Sequence, residues 1–115
     1  LILTGESGKT VDVQVSSLGG GRIKVTKLDG MDVSFSGASN TLIIYNEDKP
    51  GLMADVSSLL ASVSVNIGTM QLFRDRRGGT AVMVYEIDHS LSPAIVEVLS
   101  HFNGVLKATY INVKL

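Results

Sequence analysis

The sequence has no cysteine and no tryptophan, only two prolines, and 5% aromatic residues in 115. Without cysteine there is no disulfide framework, no thiolate zinc site, no cluster ligated by this chain and no thiol nucleophile. Ten basic side chains against eleven acidic leave a formal net charge of -1. The basic footprint of a nucleic-acid or anionic-membrane binder is therefore missing. No apolar run approaches the ~20 residues that cross a bilayer, and no signal-peptide pattern opens the chain. A cytoplasmic protein with neither nucleic acid nor membrane among its partners is expected. What is present suffices for a core, because 44% of the residues are hydrophobic and single domains of this size fold alone. The chain opens on Leu1, inside an apolar run, and is read as a piece of something longer.

The first forty residues alternate. Val11, Val13 and Val15 are split by Asp12 and Gln14, Ile23 and Val25 by Lys24, and Val33 and Phe35 by Ser34. Period two marks half-buried strands. Gly19-Gly20-Gly21 and Asp29-Gly30 punctuate them as turns, the second a favoured hairpin dipeptide. Residues 1–38 are thus expected to form a small antiparallel meander, with Ser36 to Asn40 as connector.

From residue 39 the grammar changes. Thr41 to Tyr45 is nearly all apolar, as in a central strand. Leu52, Met53, Val56, Leu59, Leu60 and Val63 fall on one helical face, with Pro50 in the first turn and Asp48 at the positive end. Val65 to Phe73 and Thr80 to Asp88 read as strands around a turn at Arg74 to Gly79. Ser92-Pro93 caps a second helix, Asn103-Gly104 closes it, and Val105 to Val113 is the last strand. The order β-α-β-β-α-β is the ferredoxin-like, α+β arrangement. Right-handed crossovers put both helices on one sheet face.

Most candidate chemistry dissolves on inspection. Gly5-Glu6-Ser7-Gly8-Lys9-Thr10 imitates a phosphate-binding loop, but Leu3 stands where its first glycine belongs, and a strand follows instead of a helix. A hairpin turn is expected. His89 and His101 have no partner at metal-ligand spacing. No nucleophile elbow is present. Arg74, Arg76 and Arg77 read as a solvated turn, since the aromatics that stack RNA bases are lacking. No catalytic or metal-binding residue is assigned.

Tyr45-Asn46-Glu47-Asp48-Lys49-Pro50-Gly51-Leu52 is different. A polar loop enters a helix whose free N–H groups attract a carboxylate. Gly51 lets a ligand approach the backbone closely. Asn46 and Asp48 are placed to hold an ammonium or hydroxyl, and Asn66 in Val65-Asn66-Ile67 is expected to reach the same space. A plainer reading stands beside it: Asp48 caps the helix and Asn66 fixes a turn.

The stretch from Thr41 to Val113, with Asn46 to Gly51 and Val65-Asn66-Ile67-Gly68-Thr69-Met70, resembles an ACT domain, a regulatory module that binds amino acids between paired copies. Ser17 to Val25 and Leu28-Asp29-Gly30 resemble the segment preceding it in the β chain of iron–sulfur-dependent L-serine dehydratases, where an allosteric substrate-binding domain ends. That resemblance implies a parent enzyme converting L-serine to pyruvate and ammonia, with a [4Fe–4S] cluster on an α chain or domain. It also implies homodimerisation through the ACT part and L-serine, or a similar small effector, bound at the interface. In the similar phosphoglycerate dehydrogenases, the loop into the first helix and an asparagine opening the next strand hold serine; Asn46, Asp48 and Asn66 match them. That family commonly has a histidine where this chain has Asn46, which shifts carboxylate binding toward helix amides. The resulting ligand set is Asn46, Asp48, Gly51, Leu52, Asn66 and Ile67. Two other readings remain open, a dimerisation module without ligand and the tail of a phosphoglycerate dehydrogenase-like enzyme.

Overall fold

The computed structural model describes residues 2–4, 10–37, 40–75 and 79–112. The expected turn at Gly5 to Lys9, part of the connector (Ala38, Ser39), Arg76, Arg77 and Val113 lie outside the described residues.

Four strands form the first sheet: β1 (Ile2–Thr4), β2 (Thr10–Gly19), β3 (Arg22–Leu28) and β4 (Met31–Phe35), in sequential antiparallel order. Its turns follow from the dipeptides. Leu28 pairs with Met31, leaving Asp29 (φ 48°) and Gly30 (φ 81°) as a two-residue loop with both residues left-handed. That geometry suits the right-handed twist of the flanking strands. Gly20 and Gly21, also left-handed, close β2 to β3 between the Gly19–Arg22 pair.

The second sheet holds β5 (Asn40–Glu47), β6 (Ile67–Arg74), β7 (Thr80–Ile87) and β8 (Val105–Asn112), with α1 (Leu52–Ser62) after β5 and α2 (Pro93–Ser100) after β7. The strand order is β6-β7-β5-β8, every pair antiparallel, so β6 and β8 are edges. Ser92 caps α2 as expected, its hydroxyl accepting from the Ile95 amide, with Pro93 following.

Side-chain alternation sorts the second sheet's two faces. Leu42, Ile44, Met83, Tyr85, Ala108 and Tyr110 pack under Leu52, Val56 and Leu60 of α1 and Val96 and Leu99 of α2. Both helices therefore cover one face, as the crossover rule requires. Ile43, Val82, Val84 and Ile111 point the other way and share a core with Val11, Val13, Val25, Leu28, Val33 and Phe35 of the first sheet. The result is three layers, with the second sheet in the middle. Each such buried aliphatic or aromatic side chain contributes about 1.5–3 kcal/mol relative to exposure.

Polar contacts stitch the layers. Lys107 on β8 donates to the Asp29 carboxylate (3.1 Å) and the Thr10 carbonyl (3.0 Å), and its ammonium lies 4.5 Å from the Tyr45 ring centroid. Near the other end of the sheet, the Ser36 hydroxyl donates to Glu86 at 2.8 Å and the Thr69 hydroxyl donates to the same carboxylate at 3.2 Å. Among the described residues no helix is long and apolar enough to cross a membrane.

Candidate functional site

The β5–α1 loop is pinned on both sides. The Glu47 amide donates to Gly104 O (2.7 Å) in the α2–β8 turn, and the Asp48 amide donates to Gly79 O (3.0 Å) ahead of β7. Gly51 is the N-cap of α1, left-handed at φ 88°, and its carbonyl accepts the first helical bond from the Asp55 amide. No side chain caps the helix. The expectation that Asp48 serves the helix start, with Pro50 in its first turn, is therefore corrected. Pro50 precedes the cap, and the acidic residue of the first turn is Asp55. The physical reason is the glycine: its left-handed turn carries the chain into the helix without an Asx cap.

Asp48 is instead bound to Arg74, whose Nε donates to Oδ2 at 2.8 Å. The expected solvated turn is corrected here too, because Arg74 is the last residue of β6, paired with Ala81. With the two side chains 68% and 32% exposed, this pair contributes only about 0–1 kcal/mol. Lys49 turns elsewhere, to Glu47 at 2.6 Å.

Asn46 is 3% exposed and lies on the helix-side face. Its Nδ2 donates to the Glu47 carbonyl at 2.8 Å, while its Oδ1 is buried with no hydrogen-bond partner. A buried carbonyl oxygen without a donor costs roughly 1–3 kcal/mol, so its retention in this place calls for an explanation. A bulge sits at the same point: Tyr45 pairs with Lys107 and Asn46 with Val105, leaving Leu106 unopposed and 57% exposed. Bulges of this kind re-aim neighbouring side chains.

Asn66 does not share this space within one chain. β5 and β6 run parallel on either side of β7, with Ile67 and Asn40 both opposite Ile87, and Arg74 and Asn46 both opposite Ala81. Asn66 therefore stands at the far end, its Nδ2 donating to Asp88 Oδ2 at 2.6 Å and its carbonyl accepting from the Asp88 amide. Seven residues of strand separate the two asparagines, on the order of 20 Å. The other expected positions divide likewise. Leu52 is buried in the helix-side core and Ile67 packs partly buried beside it, at opposite ends of α1.

Two cavities open at the loop end. One, of about 620 Å³, lies between α1 and the α2–β8 turn, lined by Lys49, Pro50, Leu52, Asp55, Leu59 and Phe102 among others. The second, of about 580 Å³, lies beneath the Asp29-Gly30 turn and is lined by Met31, Tyr45, Arg74, Asp75 and Lys107 as well as Asp29. In it burial opposes ionisation of Asp29, but the Asp12 amide, Tyr45 and Lys107 more than offset this and hold the carboxyl below its ordinary value. Burial, reinforced by Asp29, pushes the Tyr45 hydroxyl up and keeps it protonated.

His89 is exposed beyond β7, and His101 is the C-cap of α2, its Nδ1 2.8 Å from the Glu97 carbonyl. Among the described residues no group of three or more histidine, cysteine, aspartate or glutamate side chains is arranged for a metal ion.

Comparison with known proteins places the fold. The chain is 34% identical, over 83% of its length, to the probable L-serine dehydratase beta chain of Bacillus subtilis (strain 168), of which it covers 43%. It is 30% identical over 80% of its length to the D-3-phosphoglycerate dehydrogenase of Archaeoglobus fulgidus, covering 18% of that protein. The chain thus spans less than half of either relative. A crystal structure of the ACT domain from the GTP pyrophosphokinase of Chlorobium tepidum superposes with a TM-score of 0.51, covering 63% of this chain and 95% of that one at 19% identity. The model of the ACT domain family matches residues 40–100, from β5 through α2. By that match and by its β-α-β-β-α-β sheet of order β6-β7-β5-β8, the chain belongs to the ACT domain family.

Proposed function

We propose that this chain is the non-catalytic regulatory part of an L-serine dehydratase, its ACT domain binding L-serine or a similar small amino acid between two copies. The observation that carries this reading is the buried, unpartnered Oδ1 of Asn46 under the uncapped start of α1. Among the described residues that acceptor has no partner, and no side chain caps the first amides of α1. Asn66 joins them only across a two-fold axis. Antiparallel pairing of β6 with β6 of a second copy, centred between Met70 and Gln71, sets the start of one strand beside the end of the other. Each Asn66 then stands next to the other copy's β5–α1 loop.

The boundary near residue 39 separates the end of an allosteric substrate-binding domain from the ACT domain in this reading. The catalytic groups and the [4Fe–4S] cluster belong to an α chain or domain in the cytoplasm; this chain has no cysteine to ligate a cluster. The names of its serine dehydratase relatives support the assignment. Effector binding would bias the parent enzyme by a coupling of about 1–3 kcal/mol.

Calorimetric titration with L-serine tests the reading. Saturable heat, with a rise in melting temperature, is expected; neither response up to high millimolar serine overturns it. A second reading, a dimerisation module without ligand, is favoured by the short Asn66–Asp88 hydrogen bond, which already engages the Asn66 amide within one chain. Asn46→Ala and Asn66→Ala in the intact enzyme separate the two. Unchanged serine dependence with unchanged assembly supports the structural role.

A further inference from the structure

We infer that Arg74 is the carboxylate anchor of this site, which restricts its ligands to amino acids bearing a free α-carboxylate; the inference rests on the two-copy reading above. Asn46 and Asn66 are neutral, and the charged side chains of the β5–α1 loop are Glu47, Asp48 and Lys49. Lys49 pairs with Glu47 and lines the cavity on the α1–α2 side. Among the described residues, Arg74 brings a cation to the loop from the edge strand through its Nε bond to Asp48, while Lys107 in the cavity behind it is held by Asp29 and Thr10.

Its geometry suits the task. Nε alone is engaged by Asp48 in the free chain, and a guanidinium presents its remaining N–H groups as a planar fork matched to a carboxylate. Arg74 ends β6, level with Asn46 across β7. In the β6–β6 pairing it stands opposite the second copy's Ile67, beside that copy's Asn66. A zwitterion entering there exchanges one ion pair for two. Its carboxylate takes the Arg74 fork, its ammonium takes the Asp48 carboxylate, and net charge is conserved. The Arg74–Asp48 pair is largely exposed, and such pairs are weak enough to give way. The zwitterion's own carboxylate and ammonium lose water on entering, a cost that the two new charge-assisted pairs offset.

The test compares L-serine with L-serinamide, which keeps the ammonium and hydroxyl but lacks the carboxylate, by calorimetry on the full chain. The wild-type protein should prefer serine by at least about tenfold, the scale of one charge-assisted hydrogen-bond pair. Arg74→Gln should weaken serine by about the same factor and erase the preference, with the sedimentation coefficient unchanged, while Arg74→Lys restores part of it. Equal affinity of the wild type for serine and serinamide overturns the inference, as does Arg74→Gln binding serine like the wild type. If Asn66→Ala abolishes serine binding in that second case, the two-copy reading survives without Arg74. Absence of serine binding by the wild type defeats both. Should Arg74→Gln fail to fold, Arg74→Lys decides in its place: a reduced preference for serine over serinamide is expected, and an unchanged one overturns the inference.

Discussion

The two ends of the middle sheet are built on different terms. At the Asn66 end the polar side chains are matched: Asn66 with Asp88, Ser36 and Thr69 with Glu86, and the Tyr110 hydroxyl with Asn40. At the Asn46 end the Asn46 Oδ1 is buried without a partner among the described residues, and α1 has no side-chain cap. Satisfied polar groups rigidify a fold, whereas unsatisfied ones cost stability that selection retains only for a purpose. One end matches its polar side chains to one another, and the other leaves a buried acceptor unmatched.

Substitutions at each end sharpen that contrast. Glu86→Ala strands the Ser36 and Thr69 hydroxyls at the junction and should lower unfolding free energy by about 1–3 kcal/mol in urea titrations, the scale of a broken buried network. Gly51→Ala meets no atom within 4 Å, so its cost is conformational. About 1 kcal/mol of destabilisation is expected from the left-handed φ alone, read from the same titration. Asn46→Leu removes the orphaned acceptor while keeping the volume. Stability should change by less than about 1 kcal/mol in either direction, while serine heat in calorimetry disappears. A large stability loss from this variant would show that Asn46 belongs to the satisfied class and break the comparison.

The smallest effect concerns pH. Asp29 has a lowered pKa in the folded chain, so its contribution is present above the unfolded carboxylate value of about 3.9 and is lost as pH falls through the folded value. Asp29→Asn keeps an acceptor for the Asp12 amide and a residue tolerant of φ 48°. It should cost a few tenths of a kcal/mol at pH 7, as expected for a partly exposed ion pair. Melting curves of variant and wild type should converge once the pH has fallen below the lowered folded-state value. A gap that persists there assigns the effect to something other than charge.

Local signals made most of the architecture legible. Valine alternation at 11, 13 and 15 marks β2, Asp29-Gly30 closes the β3–β4 hairpin, and Ser92-Pro93 opens α2 where the structure places it. The strand expected from Val65 begins two residues later, because the Val65 amide donates to Leu60 O and is used up in closing α1. Long-range facts were harder. Asn66 follows Asn46 by twenty residues, but α1 returns the chain to the opposite end of the sheet before β6 begins, and spacing along the chain does not encode that return. Arg74 looked like one of three arginines in a turn; its bond to Asp48 depends on strand order. One signal was available and unused. Leu42-Ile43-Ile44 and Ala81 to Tyr85 are apolar on both faces, which already implies a second layer against the sheet.

That second layer has a consequence for assembly. With the first sheet seated on it, the central plate is roofed on one side and helix-clad on the other, so no copy can stack flat against its strands. A copy that joined it through strands would meet it at the rim, along β6 or β8, while Ile43, Val82 and Val84, which both tiers hold in common, tie the plate to its roof.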